Sequence, residues 1–406
     1  MLKTQTARCQ QAPLLVSFTL PSRACNTKEF NNVRKATKLI RKLRNQVERL
    51  EIHISCQNFL QHLGCEWPNL KEFVWVDTCP MISGSHGRIH VHPVNSGLPR
   101  LKNLSIEGGT TCLMNVATQL TTFKLTGPIN LESSDLINFF RRNASLELIQ
   151  LNNLSVSKPS RSRREEPIKL PYLTKLTIHD AAVGCVLSLL NLPSLKQLRV
   201  LSHGERNPWL DTHWFELCPQ LAITNLEAQY FTPRPERIVV VGSSGLDTRS
   251  LWFTESFIRT QGSALFRALA YASLSSVTSL SLINGMPEQS SEPFVSGIHA
   301  LIEHLPRVER LSLCPSHLAL QVALCLRDDS GLCPELRELQ VTITLTRWMC
   351  IFRAVCQAVK DRGGTERRLR RVECLPNGSE QERETLRVKW DGSWRDRGLD
   401  RYIGDE

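Results

Sequence analysis

No apolar run in this sequence approaches the roughly 18–20 residues that a membrane-spanning helix needs, so none is predicted. No CxxC pair occurs among its 14 cysteines, which argues against a zinc ribbon, a thioredoxin-like redox site and a regular disulfide framework. The nucleophile elbow GxSxG, the metalloprotease motif HExxH and the dinucleotide fingerprint GxGxxG are all missing. Aromatic residues make up only 6% of the chain and are sparse around its basic runs, which leaves little for nucleic-acid bases to stack on. What remains is an ordinary globular composition, 41% hydrophobic and 22% charged over 406 residues, long enough for one large core or two domains.

The N-terminus, MLKTQTARCQQAPLLVSFTLPSRACN, carries a short apolar stretch after basic residues, as a signal peptide does. That stretch is flanked by Pro13 and Pro21, and Val16, Phe18 and Leu20 alternate with Ser17 and Thr19, so a strand is predicted instead. The cysteines are scattered, and Cys218 and Cys333 stand where leucine would serve in CPQL and CPEL. Reduced thiols acting as small hydrophobes point to a cytoplasmic or nuclear compartment. The four sequons, at Asn103, Asn143, Asn153 and Asn377, carry no meaning there. The formal charge of +11 gathers at Lys35 to Arg44, at Arg161 to Arg164 in KPSRSRREEP and at Arg367 to Arg371 in ERRLRR. Such runs fit solvated faces and a loop better than a nucleic-acid footprint.

One phrase recurs along the chain. LPRLKNLSIEGG begins at Leu98 and LPSLKQLRVLSH at Leu192. Close copies are WPNLKEFVWV at Trp67, ATQLTTFKLT at Ala117, ASLELIQLNN at Ala144, LPYLTKLTIH at Leu170, LSSVTSLSLI at Leu274, LPRVERLSLC at Leu305 and CPELRELQVT at Cys333. Weaker copies are QVERLEIHIS at Gln46, CPQLAITNLE at Cys218 and RLRRVECL at Arg368. Most steps between first anchors, from Leu70 to Leu369, fall between 19 and 33 residues. The step from Leu221 to Val277 is double length, and RIVVVG at Arg237 is expected to supply the missing unit.

The shared core is L-x-x-L-x-L, as in Leu101, Leu104 and Ile106. Spacings of three and two do not make one helical face, whereas the final pair alternates as a strand does. Repetition at this period is the mark of a solenoid in which each unit gives one short strand and the strands stack in parallel. Each buried anchor contributes roughly 1.5–3 kcal/mol, too little for one unit to fold alone. Between the phrases, SSDLINFFRRN, EPFVSGIHALIEHLP, HLALQVALCLRD and RWMCIFRAVCQAVKDRG read as amphipathic helices. The predicted fold is therefore α/β, an irregular horseshoe with parallel strands on its concave side and helices outside. Three segments are expected: 1–45 as a strand and helix that cap the array, 46–376 as the solenoid and 377–406 as a polar tail.

The pattern resembles the leucine-rich repeat in its long, irregular form, over roughly Gln46 to Leu375. The asparagine that closes the usual motif is mostly missing, with Asn284 in LSLIN nearest to its place. The order APLLVSFTL, then EFNNVRKATKLIRKLRNQ, then VERLEIHIS is similar to the stretch that follows the F-box in the large fungal family of F-box and leucine-rich-repeat proteins. That resemblance implies a non-enzymatic substrate receptor of an SCF-type ubiquitin ligase, whose F-box docks on an adaptor while the solenoid holds the target. Here no F-box precedes Ala12, so coupling to the adaptor is expected only if one lies upstream.

No catalytic, cofactor or metal site is predicted. GSSGLD at Gly242 follows the strand RIVVV but lacks the lysine of a phosphate loop, so a turn is expected. SHGRIHVH brings His86, His90 and His92 together with Cys79 near, yet no spacing supplies a fourth ligand. Glu165 and Glu166 lie in a basic loop, which suits an exposed insertion better than acid–base work. The candidate site is instead the stripe of outward positions flanking the last two anchors of each phrase. It comprises Asn103, Ser105, Glu107, Thr122, Lys124, Thr126, Gln150, Asn152, Lys175, Thr177, His179, Gln197, Arg199, Ser279, Ser281, Arg310, Ser312, Glu338 and Gln340. It reads as polar, hydroxyl-rich and mildly basic, suited to a protein partner. The alternative is a free-standing basic protein that binds an acidic partner or nucleic acid. The loop from Ser157 to Pro167 is a second candidate, as a protruding basic insertion or phosphorylation site.

Overall fold

The computed structural model describes residues 13–19, 40–54, 66–77, 98–108, 119–156, 167–179, 190–201, 221–231, 237–244, 249–256, 274–283, 292–314, 322–326, 331–343, 371–376 and 388–390, with a few single positions besides. The fold is mixed α/β, dominated by parallel strands, and among the described residues helices are few. The chain divides into two compact units, Met1–Leu195 and Lys196–Glu406.

In the first unit the phrases form β1 (Leu14–Thr19), β2 (Val47–Ile54), β3 (Glu72–Asp77), β4 (Asn103–Glu107), β5 (Thr122–Leu131), β6 (Leu148–Val156) and β8 (Lys175–His179). They lie side by side in that order, every neighbouring pair parallel. The alternation read at Val16 and Phe18 is a strand, with Leu15 on its other side 74% exposed. β7 (Ile168–Lys169) and β9 (Leu190–Asn191) make a small parallel pair of their own.

Four phrases of this unit open on the same turn. The N–H of the anchor donates to the carbonyl three residues back, at Leu70 to Trp67, Leu101 to Leu98, Leu173 to Leu170 and Leu195 to Leu192. The next residue then donates to the preceding unit. Lys71, Lys102, Thr121, Glu147 and Thr174 bond in turn to the carbonyls of Glu48, Lys71, Lys102, Thr121 and Glu147, at 2.8–2.9 Å. This ladder fixes the register, and the register stacks the anchors. Leu50, Phe73, Leu104, Phe123, Ile149 and Leu176 form one row, and Ile52, Trp75, Ile106, Leu125, Leu151 and Ile178 the next. All of them are 4% exposed or less.

The helix α1 (Ser133–Arg142) sits against this core, burying Leu136, Ile137, Phe139 and Phe140 as its sequence predicts. The Phe139 ring meets Phe123 with centroids 4.3 Å apart and ring planes at 42°, a close tilted contact. Asn143 closes the helix: its Nδ2 donates to the Phe139 carbonyl at 2.9 Å, and its Oδ1 accepts the Leu120 N–H at 3.3 Å. Its side chain is wholly buried, so this sequon has no surface to offer whatever the compartment. Two residues past the last anchor, Gly108 directly after β4 takes φ 102° and Gly127 within β5 takes φ 134°. Past Gly127 the pairing of β5 with β6 slips by one residue, a bulge that lets both strands continue.

The second unit departs from simple stacking. Its order is β10 (Gln197–Leu201), β13 (Ser250–Ser256), β12 (Arg237–Ser243), β11 (Asn225–Phe231), β14 (Ser279–Ile283), β15 (Arg310–Cys314), β16 (Glu338–Ile343), β17 (Arg371–Pro376) and β18 (Val388–Trp390). RIVVVG is a strand, β12, but it runs antiparallel to both β11 and β13, so the expectation of a further repeat there is corrected. The parallel partner of β10 is β13 and that of β14 is β11, with β12 as the return strand between them. Gly242 and Ser243 belong to β12, and the Ser244 N–H donates to the Arg249 carbonyl at 3.2 Å, closing the β12–β13 hairpin across the GSSGLD turn. Leu280, Leu311 and Leu339 form one buried row, and Leu282, Leu313 and Val341 the next. Cys333 takes the leucine place in its turn, buried, accepting the Leu336 N–H at 3.0 Å. The helix α2 (Glu292–Glu303) and residues 322–326 fall where amphipathic runs were read, and β18 of the tail pairs antiparallel with β17. Most of RWMCIFRAVCQAVKDRG and half of the N-terminal run EFNNVRKATKLIRKLRNQ lie outside the described residues. No helix of the described residues is long and apolar enough to cross a membrane.

Candidate partner-binding face

Because side chains alternate across a pleated strand, fixing the anchors inward fixes the residues between them outward. In the first unit the outward positions align in three rows. Arg49, Glu72, Asn103, Thr122, Leu148 and Lys175 make one. Glu51, Val74, Ser105, Lys124, Gln150 and Thr177 make the second, and His53, Val76, Glu107, Thr126, Asn152 and His179 the third. All the stripe residues predicted in this unit fall on these rows. In the second unit Gln197 and Arg199 lie outward on β10. Ser279, Arg310 and Glu338 share one row, and Ser281, Ser312 and Gln340 the next, joined across β11 by Asn225 and Glu227.

The rows also contain residues that the phrase arithmetic omitted. Arg49, Glu51, His53, Glu72, Val74 and Val76 come from β2 and β3, and Asn225 and Glu227 from β11. The sequence signal was available, since QVERLEIHIS, WPNLKEFVWV and CPQLAITNLE obey the same alternation. Counting them changes the charge. On its three rows the first unit carries Arg49, Lys124 and Lys175 against Glu51, Glu72 and Glu107, and in the second unit the named positions of β10, β11, β14, β15 and β16 carry Arg199 and Arg310 against Glu227 and Glu338. The first unit's rows are thus even in charge, whereas the stripe alone reads as mildly basic.

On β2 and β3 the charges satisfy one another. Arg49 reaches Glu51 at 3.3 Å and Glu72 at 3.5 Å, and His53 Nε2 meets Glu51 Oε1 at 2.6 Å. The Glu51 carboxyl is held below its ordinary value, first by the His53 hydrogen bond and also by the nearby Arg49. On β5, β6 and β8 the contacts are sparser: Asn152 Nδ2 donates to Thr126 Oγ1 at 3.2 Å, and Lys124 and Lys175 are exposed. In the second unit Ser312 Oγ approaches Gln340 Oε1 at 3.5 Å.

Hydroxyls just before the anchors act structurally rather than on the face. Ser145 donates to the Leu120 carbonyl at 2.9 Å, Ser194 to Pro171 at 2.5 Å and Ser276 to Ile223 at 2.7 Å. His86, His90, His92 and Cys79, the loop from Ser157 to Pro167 and the Glu165–Glu166 pair lie outside the described residues. Elsewhere in the second unit a cavity of about 10 Å³ lined by His299, Ile302, Val322, Cys325, Leu326 and Leu332 has room for one water at most. Comparison of the chain with protein-family models and with curated proteins returned no match.

Proposed function

We propose that the protein is a leucine-rich-repeat solenoid acting as a non-enzymatic scaffold, in the cytoplasm or nucleus, that binds a partner protein along its outward strand rows. The observation that carries this reading is the continuous register, which turns one recurring phrase into an ordered array of polar side chains on a single sheet face in each unit. Repeat arrays of this kind bind through such extended strand surfaces. The charge balance of the first unit's rows supports a protein partner over sequence-independent attraction to nucleic acid, which relies on excess cations. In an F-box receptor of the family that the sequence resembles, this array would be the part that holds the target, and adaptor coupling would require the F-box itself.

The reading is tested with a photo-crosslinking residue placed singly at Ser105, Ser281 or Tyr172. Tyr172 lies in a turn and is 63% exposed, so it samples open surface off the rows. Specific adducts from Ser105 and Ser281, and none from Tyr172, are expected in extract of the native cell. Equal labelling from all three positions would overturn the assignment of the face.

A further inference from the structure

The first unit's face is balanced overall but divided along its length. Every carboxylate of the rows sits on β2, β3 or β4, and Glu51 and Glu72 are already engaged by Arg49, with His53 on Glu51 as well. The nine outward phrase positions of β5, β6 and β8 are Thr122, Lys124, Thr126, Leu148, Gln150, Asn152, Lys175, Thr177 and His179. They include no carboxylate and no Phe, Tyr or Trp. Lys124 and Lys175 are exposed and pair with no carboxylate among the described residues. Glu107 bounds this patch on one side, and Glu147 lies at its rim, directly before β6.

We propose that the β5–β6–β8 patch binds an acidic, extended peptide segment of the partner, with Lys124 and Lys175 facing its carboxylates. The inference rests on the scaffold reading and adds the chemistry of the partner. Two lysines two strands apart, roughly 10 Å at the usual strand spacing, can face carboxylates spaced along one extended chain. Hydroxyls and amides of Thr122, Thr126, Gln150 and Thr177 supply hydrogen-bond groups between them. Lysine is a point charge, and the patch has no arginine for two-pronged grip on a phosphate. Without an aromatic ring there is no platform for stacked bases. Charge complementarity with hydrogen-bonding filler therefore favours an acidic peptide over a nucleic acid.

The test is fluorescence anisotropy on the full chain with a labelled oligo-glutamate peptide, an oligo-glutamine peptide of equal length and a single-stranded DNA competitor. The double variant Lys124→Glu/Lys175→Glu is compared with Arg307→Glu/Arg337→Glu, which changes the net charge equally at exposed positions of the second unit that lie off the rows. Oligo-glutamate should bind, and the lysine variant should weaken it about tenfold or more, while the arginine variant changes it by less than about twofold. Oligo-glutamine should not bind, and DNA should not displace the peptide. Equal weakening by both variants would show that only overall charge attracts the probe, and would overturn the proposal. Binding of oligo-glutamine as tight as that of oligo-glutamate, no binding of oligo-glutamate, or its displacement by DNA would overturn it too. If a reversal variant fails to fold, Lys124→Gln/Lys175→Gln replaces it with the same expected direction. Specific adducts from Ser105 that persist in the lysine variant would mean that the face binds a partner by other chemistry, so this inference alone would fall.

Discussion

Replacing Leu104 with alanine tests the register on which everything else depends. Leu104 is 2% exposed and stands between Phe73 and Phe123 in the inner row, themselves 4% and 0% exposed. Two aromatic neighbours fixed by backbone pairing collapse poorly into the space left, so the loss should lie within the usual 2–5 kcal/mol range, at about 3 kcal/mol. For a cooperative unit of 195 residues that corresponds to a drop of roughly 6–12 °C in its transition. Leu104→Asp should be worse, because an unpaired carboxylate would be buried between rings. The control is the next residue, Ser105→Ala, which should stay within about 0.5 kcal/mol because that side chain points outward. Urea unfolding followed by circular dichroism gives both values, with an unchanged denaturant slope confirming that the same transition is compared. A large loss at Ser105 with little at Leu104 would refute the reasoning, since a slip of one residue inverts every side chain of the strand.

Gly127→Ala should destabilise the first unit by about 1–3 kcal/mol in the same assay, because φ is 134° and a new Cβ would lie 2.9 Å from the Gly108 backbone nitrogen. Asn143→Ala should cost about 2–3 kcal/mol by leaving the Phe139 carbonyl and Leu120 N–H without that partner; a neutral result would mean that the cap is dispensable. Stability should also depend on Glu51 at acid pH. Its folded pKa lies below the ordinary 4.5, so its contribution is fully present above the unfolded value and is lost as pH falls through the folded one. His53→Gln should move the Glu51 carboxyl back up and flatten that part of the stability curve, as NMR titration of the carboxyl carbon would show.

The strand array was legible because L-x-x-L-x-L is tightly constrained: only a turn followed by alternation buries all three residues. Strand direction was not legible. Ile238 and Val240 in RIVVVG alternate as those of a parallel unit would, because side-chain period does not encode whether a neighbour runs the same way. Only closure of the hairpin at Ser244 and Arg249 distinguishes β12 from a repeat. The charge of the face was misread for a simpler reason. Leaving out the outward residues of β2 and β3 omitted Arg49, Glu51 and Glu72, so that an even set of charges on the first unit looked basic. The hydroxyls of Ser145, Ser194 and Ser276 were visible in the phrases, but their role needs the preceding unit's carbonyl, which no single phrase contains.

The backbone geometry of the first unit and its proposed binding patch meet at one place. Gly108 and Gly127 adopt backbone angles that let β4 and β5 approach closely, with the Gly108 N–H bonded to the Thr126 carbonyl at 2.7 Å. The bulge that follows carries β5 and β6 three further paired positions, and Leu131, Leu154 and Val156 remain buried there. Strands β5 and β6 are thus tied together over a longer span than any other described pair in the unit, and α1 braces them from behind through Phe139. The strand pair held over the longest span thus carries Lys124, one of the two cations of the proposed patch, and lies beside β8, which carries Lys175.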